Sequence, residues 1–355
     1  MAPAHKFLTL DALRGLAALG VVAWHMGDLA GWAKPAQGFI AVDLFFVMSG
    51  FVIAHSYEDK LRAGLSARGF MALRLIRLYP YYLLATLFGA LVALGLGEMS
   101  LQTGALALAL VLAPMPAFGR GAQLFPYLAV AWSLFLELAA NAVYALTWRQ
   151  WTLRNIALMC ALGALLLIGA AFATGHTDLG WAWRNLPGGV ARILYGFPMG
   201  VLIWRLRRAG RLRLRSNAVL CALATLFLLY AHPSGALALP WEVFSILVLA
   251  PAIAAFAVCA EPPGPLAKTS RALGAASYGV YLVHWPLIAI VRARFPDSEG
   301  ALPLVFVAAA AAAIFAIAYA VHRLVDEPAR RALMRLYRAR AARGTDARPA
   351  AAQQR

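Results

Sequence analysis

The sequence predicts an all-α fold: a polytopic transmembrane helical bundle of about ten spans plus one short re-entrant or interfacial helix. Three observations lead there. The chain is 63% hydrophobic and only 13% charged, about half the roughly 25% charged residues of a soluble domain. Its mean hydropathy is +0.72. The apolar residues fall into separate blocks of about 18 to 22, the length that crosses a bilayer as a helix.

Spans are expected near 8–29, 38–56, 75–96, 127–147, 155–174, 188–204, 217–231, 242–259, 274–291 and 301–322. The first block lacks a small-residue cleavage site and carries Arg14 and His25, so it reads as a retained span rather than a signal peptide. With the N-terminus inside, the cytoplasmic segments hold 25 of the 32 Lys and Arg residues. The outer loops hold Lys34, Arg120, Arg184, Arg292 and Arg294, while Arg14 and Arg192 lie within spans. That positive-inside bias places both termini in the cytoplasm. Residues 101–115 (LQTGALALALVLAPM) are apolar but short, and an eleventh crossing there would turn WRQWTLR and later basic loops outward. They are expected to form the re-entrant or interfacial helix on the outer side. A transmembrane domain over 1–334 is followed by a basic cytoplasmic tail over 335–355, read as a short amphipathic helix fading into disorder.

The net charge of +17 sits in short loops between apolar blocks. This is membrane topology and not a nucleic-acid interface, which needs a basic groove with aromatic platforms outside the bilayer. Cys160, Cys221 and Cys259 lie singly in apolar stretches, without disulfide or metal spacing, and read as small buried hydrophobes.

Function is sought among the polar residues inside the apolar blocks, where an ionisable group is costly unless paired or wetted. Arg14 and His25 stand eleven residues apart, which puts them on one face of a helix about 16.5 Å apart. They cannot share one reacting atom, but they can serve two ends of a long ligand; a snorkelling Arg and a helix-packing His are the plainer reading. Asp28 follows His25 and is placed to orient its imidazole. Arg74 and Arg77 in RLIR share a helix face suited to phosphate oxygens, though two arginines at an inner helix end also simply mark topology. Glu137 lies one turn from Ser133 in WSLFLELAANAVYAL, as a catalytic acid or a structural hydrogen-bond partner. Tyr281 and His284 in SYGVYLVHWPL carry protons or bridge helices. Asp43 and Ser49, in AVDLFFVMSGFVI, are candidate substrate-binding residues, with Asp43 near the outer surface. His5, His176, His232 and His322 fall at segment ends, where water satisfies them. No metal site is expected; His25, Asp28 and His284 are the one set that could offer zinc ligands, without a two-His metal motif.

Five ordered blocks, LDALRGLAALGVVAWH, VDLFFVMSGFVI, RLIRLYP, WSLFLELAANAVYAL and SYGVYLVHWPL, followed by VDEPARR, resemble acyltransferase family 3 from about Leu8 to Arg331. The resemblance implies a ten-helix membrane enzyme, a surface-polysaccharide acetylase type, that moves an acyl group from cytoplasmic acyl-CoA to an acceptor on the far side. By motif it implies paired catalytic positions at His25 and Arg14, donor-side arginines at Arg74 and Arg77, and an acidic position at Glu137. Leu138 departs from the family, where an acidic residue or Gln often stands. Members often append a soluble hydrolase-like domain; the expectation is a chain without one, which weighs against two-step transfer of the peptidoglycan type. The expected partners are acetyl-CoA as a donor substrate rather than a tightly bound cofactor, a carbohydrate acceptor, and the lipid bilayer of a bacterial inner membrane. His25 is then a general base on the acceptor hydroxyl or a nucleophile through an acyl-imidazole. The rival reading is a transporter with a buried proton relay.

Overall fold

The computed structural model describes residues 6–30, 35–97, 103–116, 123–295 and 302–346. The main helices are α1 (Leu8–Ala30), α2 (Ala41–Arg62), α3 (Ala67–Gly95), α4 (Thr103–Leu110), α5 (Ala131–Thr147), α6 (Leu153–Thr174), α7 (Leu186–Arg208) and α8 (Ala218–Tyr230). Next, α9 (Ala238–Phe244) runs through a π-helical stretch, Ser245–Leu249, into α10 (Ala250–Ala257). Then come α11 (Gly264–Arg294) and α12 (Leu304–Val321), which continues through a second π-helical stretch, His322–Asp326, into α13 (Glu327–Asp346). Ser66, Thr152 and Asn217 cap α3, α6 and α8, each side chain accepting a first-turn N–H. No strand occurs among the described residues beyond an isolated bridge between Gln123 and Ala182.

Seven of these helical runs are long and apolar enough to cross a membrane. α6 turns Leu158, Leu162, Leu165 and Phe172 outward, an exposed apolar face suited to lipid. The expected count of ten is not met by length alone. α5 has 17 residues and α8 has 13, the latter only about 20 Å long against a hydrocarbon core of about 30 Å. Other boundaries also move. α3 starts at Ala67 rather than near 75, because the Ser66 cap lets it begin ahead of the apolar block. α12 does not end near 322, since no helix breaker interrupts it before α13. α13 covers the start of the expected tail, whereas 347–355 lie outside the described residues. Within 101–115, α4 is eight residues long, about 12 Å and too short to cross. The hydroxyls of Tyr79 and Tyr82 donate to the carbonyls of Leu110 and Ala109, holding α4 against α3.

Two helix pairs organise the interior. α1 lies along α11, with Asp11 against Gly274, Gly15 against Leu273 and His25 against His284. α2 lies along α7, with Asp43 on Arg192, Gly50 on Phe197 and Glu58 on Arg205. In both pairs residue numbers rise together, so the partners run parallel. Small residues set the α2–α7 spacing: a Cβ on Gly50 would lie 2.0 Å from the Phe197 carbonyl oxygen, which excludes any other residue there. α3 packs on α11 and α5, and α8, α10 and α12 lie outside this set.

One ion pair closes the bundle near the N-terminal ends of α2 and α7. Arg192 is fully buried and Asp43 is 1% exposed. The Arg192 guanidinium grips both Asp43 oxygens (3.0 and 2.7 Å) and donates to the carbonyls of Leu179 and Phe39. Its remaining face stands 5.4 Å from the Trp132 ring centroid. Arg192→Met would strand the Asp43 carboxylate, a change that costs about 3–5 kcal/mol. The thermal unfolding midpoint in detergent should drop clearly, and the double variant Arg192→Met/Asp43→Leu should regain most of it. An unchanged midpoint in the single variant would show that this pair does not hold the bundle.

Candidate active site

The polar residues singled out in the sequence divide into two connected groups. The first lines a small inner cavity of about 100 Å³ among α1, α2, α3, α5 and α11, whose wall includes Arg14, Ser49, Arg74, Arg77, Glu137 and Tyr281. Glu137 is its centre. The Ser49 hydroxyl donates to Glu137 Oε1 at 2.7 Å, and Arg74 Nη2 donates to the same oxygen at 3.0 Å. Both bonds fall on one oxygen, which leaves the other for the cavity. Arg74 is 4% exposed and Glu137 is 23% exposed, so the arginine sits behind the carboxylate and not in front of it.

This divides the RLIR pair. Both arginines line the inner cavity; Arg77 is exposed and lines a larger one as well, while Arg74 is buried with Nη2 on Glu137 and Nε without a hydrogen-bond partner among the described residues. A shared helix face thus meets two different surroundings, because α5 brings a carboxylate to only one of them. Arg14 also lines both cavities, 3.9 Å from Asp11. The larger cavity, about 860 Å³, opens beside the inner one, and Arg14, Val52, Arg77, Leu78 and Tyr278 belong to both walls. Its rim gathers Lys6, Lys268, Arg271, Arg323 and Arg330, all from segments the charge pattern assigns to one side of the membrane.

The second group is a histidine pair. The rings of His25 and His284 stand 5.1 Å apart, with the Trp285 ring 5.4 Å from His25. Each Nδ1 lies 3.0 Å from the carbonyl oxygen of the residue four positions earlier, Val21 and Val280 respectively. A carbonyl only accepts, so each neutral ring carries its proton on Nδ1 and presents Nε2 as the basic nitrogen. His284 is fully buried, and its Nε2 has no hydrogen-bond partner among the described residues. Tyr281 joins the groups: it lines the inner cavity, its ring lies 6.0 Å from His284, and its hydroxyl is 2.8 Å from that of Ser133. Phe45 packs edge-on against it at 5.6 Å.

Asp43, expected near the surface as a substrate ligand, is buried with each oxygen accepting from Arg192. The side chain of Asp28 lies outside the described residues, as does His5. Two clusters escaped the sequence reading. Glu58, 2% exposed, accepts from Arg62, Tyr144 and Arg205, tying α2, α5 and α7. His322 is no solvated terminus: its Nδ1 donates to Asp326 Oδ2 at 2.9 Å on the wall of the larger cavity. The acidic residue in VDEPARR, four places after a histidine, was the available signal. Among the described residues no group of three or more His, Cys, Asp or Glu could hold a metal ion.

Comparison with known proteins identifies the family. The family model described as "Acyltransferase domain", that of acyltransferase family 3, matches residues 7–323. Protein 2 in the picA locus of Rhizobium radiobacter is 40% identical over 48% of this chain and 96% of its own length. The putative membrane-bound transacylase BcsY of Komagataeibacter xylinus is 30% identical over 82% of this chain and 75% of its own. The exopolysaccharide production protein ExoZ of Rhizobium meliloti is 27% identical over 85% of this chain and 92% of its own. No solved structure matches. With apolar helices throughout and a family match over nearly the whole chain, the protein belongs to acyltransferase family 3 and is a multi-pass, membrane-bound O-acyltransferase.

Proposed function

We propose that the protein transfers an acyl group, acetyl by preference, from cytoplasmic acyl-CoA to a hydroxyl of a carbohydrate on the opposite side of a bacterial inner membrane. The observation that carries this reading is the line of polar groups from the basic cavity, past Arg14 and Glu137, to Tyr281 and the His25–His284 pair. CoA is anionic and cannot cross a bilayer. Its phosphates stay at the basic rim, and its pantetheine arm carries the thioester inward, past Arg14, over a distance on the order of the 16.5 Å between Arg14 and His25. The carbohydrate acceptor fits the relative involved in exopolysaccharide production. Acetyl-CoA is a substrate in this scheme, and no tightly bound cofactor is needed.

Two routes use the same lone pair. As a general base, His25 Nε2 takes the proton of the acceptor hydroxyl while its oxygen attacks the thioester carbonyl; the carbon–sulfur bond then breaks and the imidazolium returns that proton to the CoA thiolate. As a nucleophile, Nε2 itself attacks and CoA leaves as the thiolate; the acceptor oxygen then displaces the imidazole while its proton passes through His284 Nε2 to that thiolate. His284 Nε2 is the neighbouring proton acceptor in either route, and the Tyr281 hydroxyl, held by Ser133 and the Val130 carbonyl in the resting site, turns to donate to the carbonyl oxygen as it becomes an oxyanion.

Ten crossings with both termini cytoplasmic suit the parallel pairs. α1 parallel to α11, and α2 parallel to α7, each require an odd number of crossings in between. That parity is met if α3, α5, α6, α8 and α9–α10 each cross and α4 does not. A carrier built on the same buried groups would move solute without breaking a thioester, so thiol release from acetyl-CoA by the purified protein separates the two.

His25→Ala should abolish transfer of labelled acetyl from acetyl-CoA to envelope polysaccharide, a loss of at least about 10²-fold, with the unfolding midpoint unchanged. Near-wild-type turnover in that variant sinks the assignment. Glu137→Gln keeps a partner for Ser49 but removes the anion beside Arg74. Transfer should fall strongly in the same assay, and unaltered turnover would reduce Glu137 to a packing role.

A further inference from the structure

A CoA molecule ends in a phosphomonoester of about −1.5 to −2 charge at pH 7 and carries a diphosphate between that end and its arm. Arg77 is the member of the RLIR pair that lines the larger cavity, while Arg74 faces only the inner one, beside Glu137. The larger cavity supplies what the pair cannot. Seven Lys and Arg side chains line it against two carboxylates, Asp11 and Asp326. Arg77, Lys268 and Arg271 make no ion pair among the described residues. Uncompensated cations around a concave surface focus a positive potential that draws in a polyanion.

The π-helical stretch between α12 and α13 adds a built element to this wall. A π-helical turn inserts an extra residue and changes the face that following side chains present. Here it brings Asp326, 2% exposed, behind His322 and Arg330: Oδ2 accepts from His322 Nδ1 at 2.9 Å and lies 3.3 Å from Arg330 Nε. Asp326, itself a nearly buried part of the wall, thus fixes two other cavity-lining groups. With Nδ1–H donated to Asp326, the His322 ring in its protonated form has Nε2–H remaining to donate to a phosphate oxygen.

We propose that this cavity is the subsite for the nucleotide end of the acyl-CoA donor, with Lys268, Arg271, His322 and Arg330 taking the 3′-phosphate and Asp326 as a positioning residue. It rests on the reading of acyl-CoA as donor. The order of the ligand follows from the walls. Arg14 and Arg77 belong to both cavities and face the diphosphate and the start of the arm. Lys268, Arg271, His322 and Arg330 line the larger cavity and not the inner one, where the thioester must reach. An anionic lipid headgroup offers the same phosphate chemistry and is the competing occupant.

The test compares acetyl-CoA with acetyl-3′-dephospho-CoA, reading thiol release from the purified full chain in nanodiscs. Wild type should show kcat/KM for the dephospho donor lower by on the order of tenfold, through KM, with kcat kept. Lys268→Ala/Arg271→Ala should raise KM for acetyl-CoA and bring the two donors together. Asp326→Asn should shrink the same ratio, which a purely structural residue would not do. If wild type uses both donors equally, or the double variant keeps the ratio, the subsite is overturned while acetyl-CoA consumption still upholds the donor. Absence of consumption with folded protein overturns both. Activity that requires phosphatidylglycerol in the nanodisc, with no donor discrimination, assigns the cavity to lipid and also overturns the proposal.

Discussion

A charge buried among membrane helices has to meet its counter-charge on another helix, and α2 is where this protein meets that need. Along this one helix Asp43 holds Arg192 of α7, Ser49 holds Glu137 of α5, and Glu58 holds Arg205 of α7 and Tyr144 of α5. Leaving any of these carboxylates unpaired in a low-dielectric interior costs several kcal/mol, so the partners can assemble in few ways. α5 is thereby pinned with Glu137 facing inward, and Arg74 of α3 completes that node. Because the fold itself satisfies one Glu137 oxygen, the second is available to the cavity at little conformational cost.

The histidine pair depends on a different constraint, close backbone approach. Gly15 and Gly274 let α1 and α11 touch, and a Cβ on either would lie 2.5 Å from its neighbour's. That contact near one end of the pair carries through to His25 and His284, two to three turns further along each helix. Both rings are then oriented by carbonyls of their own helices. The basic nitrogens are set by secondary structure alone, and Tyr281 stands between them and the chamber that holds Glu137. Orientation of this kind is what acid–base chemistry at a buried site requires.

Much of this was legible in the sequence. Block length gave most helices, and the charge pattern grouped residues such as Lys6, Arg77, Lys268 and Arg330 on the side where one cavity gathers them. The eleven-residue spacing of Arg14 and His25 gave one helix face. Pairings across the chain were not legible. Nothing local says that Asp43 meets Arg192, 149 residues on, or that Glu137 captures Arg74 and leaves Arg77 alone. Asp43 looked exposed because it sits at a span end, yet the chain that folds over it there carries Leu179 and Phe39 to the same arginine. His322 looked like a solvated helix end because an apolar block stops there. The helix does not stop, and a π-helical turn brings it to Asp326.

Donor on one side and acceptor on the other is the claim on which the chemistry stands. It is tested most directly with sealed membrane vesicles of opposite orientation, each given labelled acetyl-CoA from outside. Inside-out vesicles, whose cytoplasmic face looks outward, should incorporate label into carbohydrate trapped within, and intact right-side-out vesicles should not until they are permeabilised. Equal labelling of both sealed preparations, or labelling of the right-side-out vesicles alone, would contradict transfer across the membrane by the route from the basic cavity to His25.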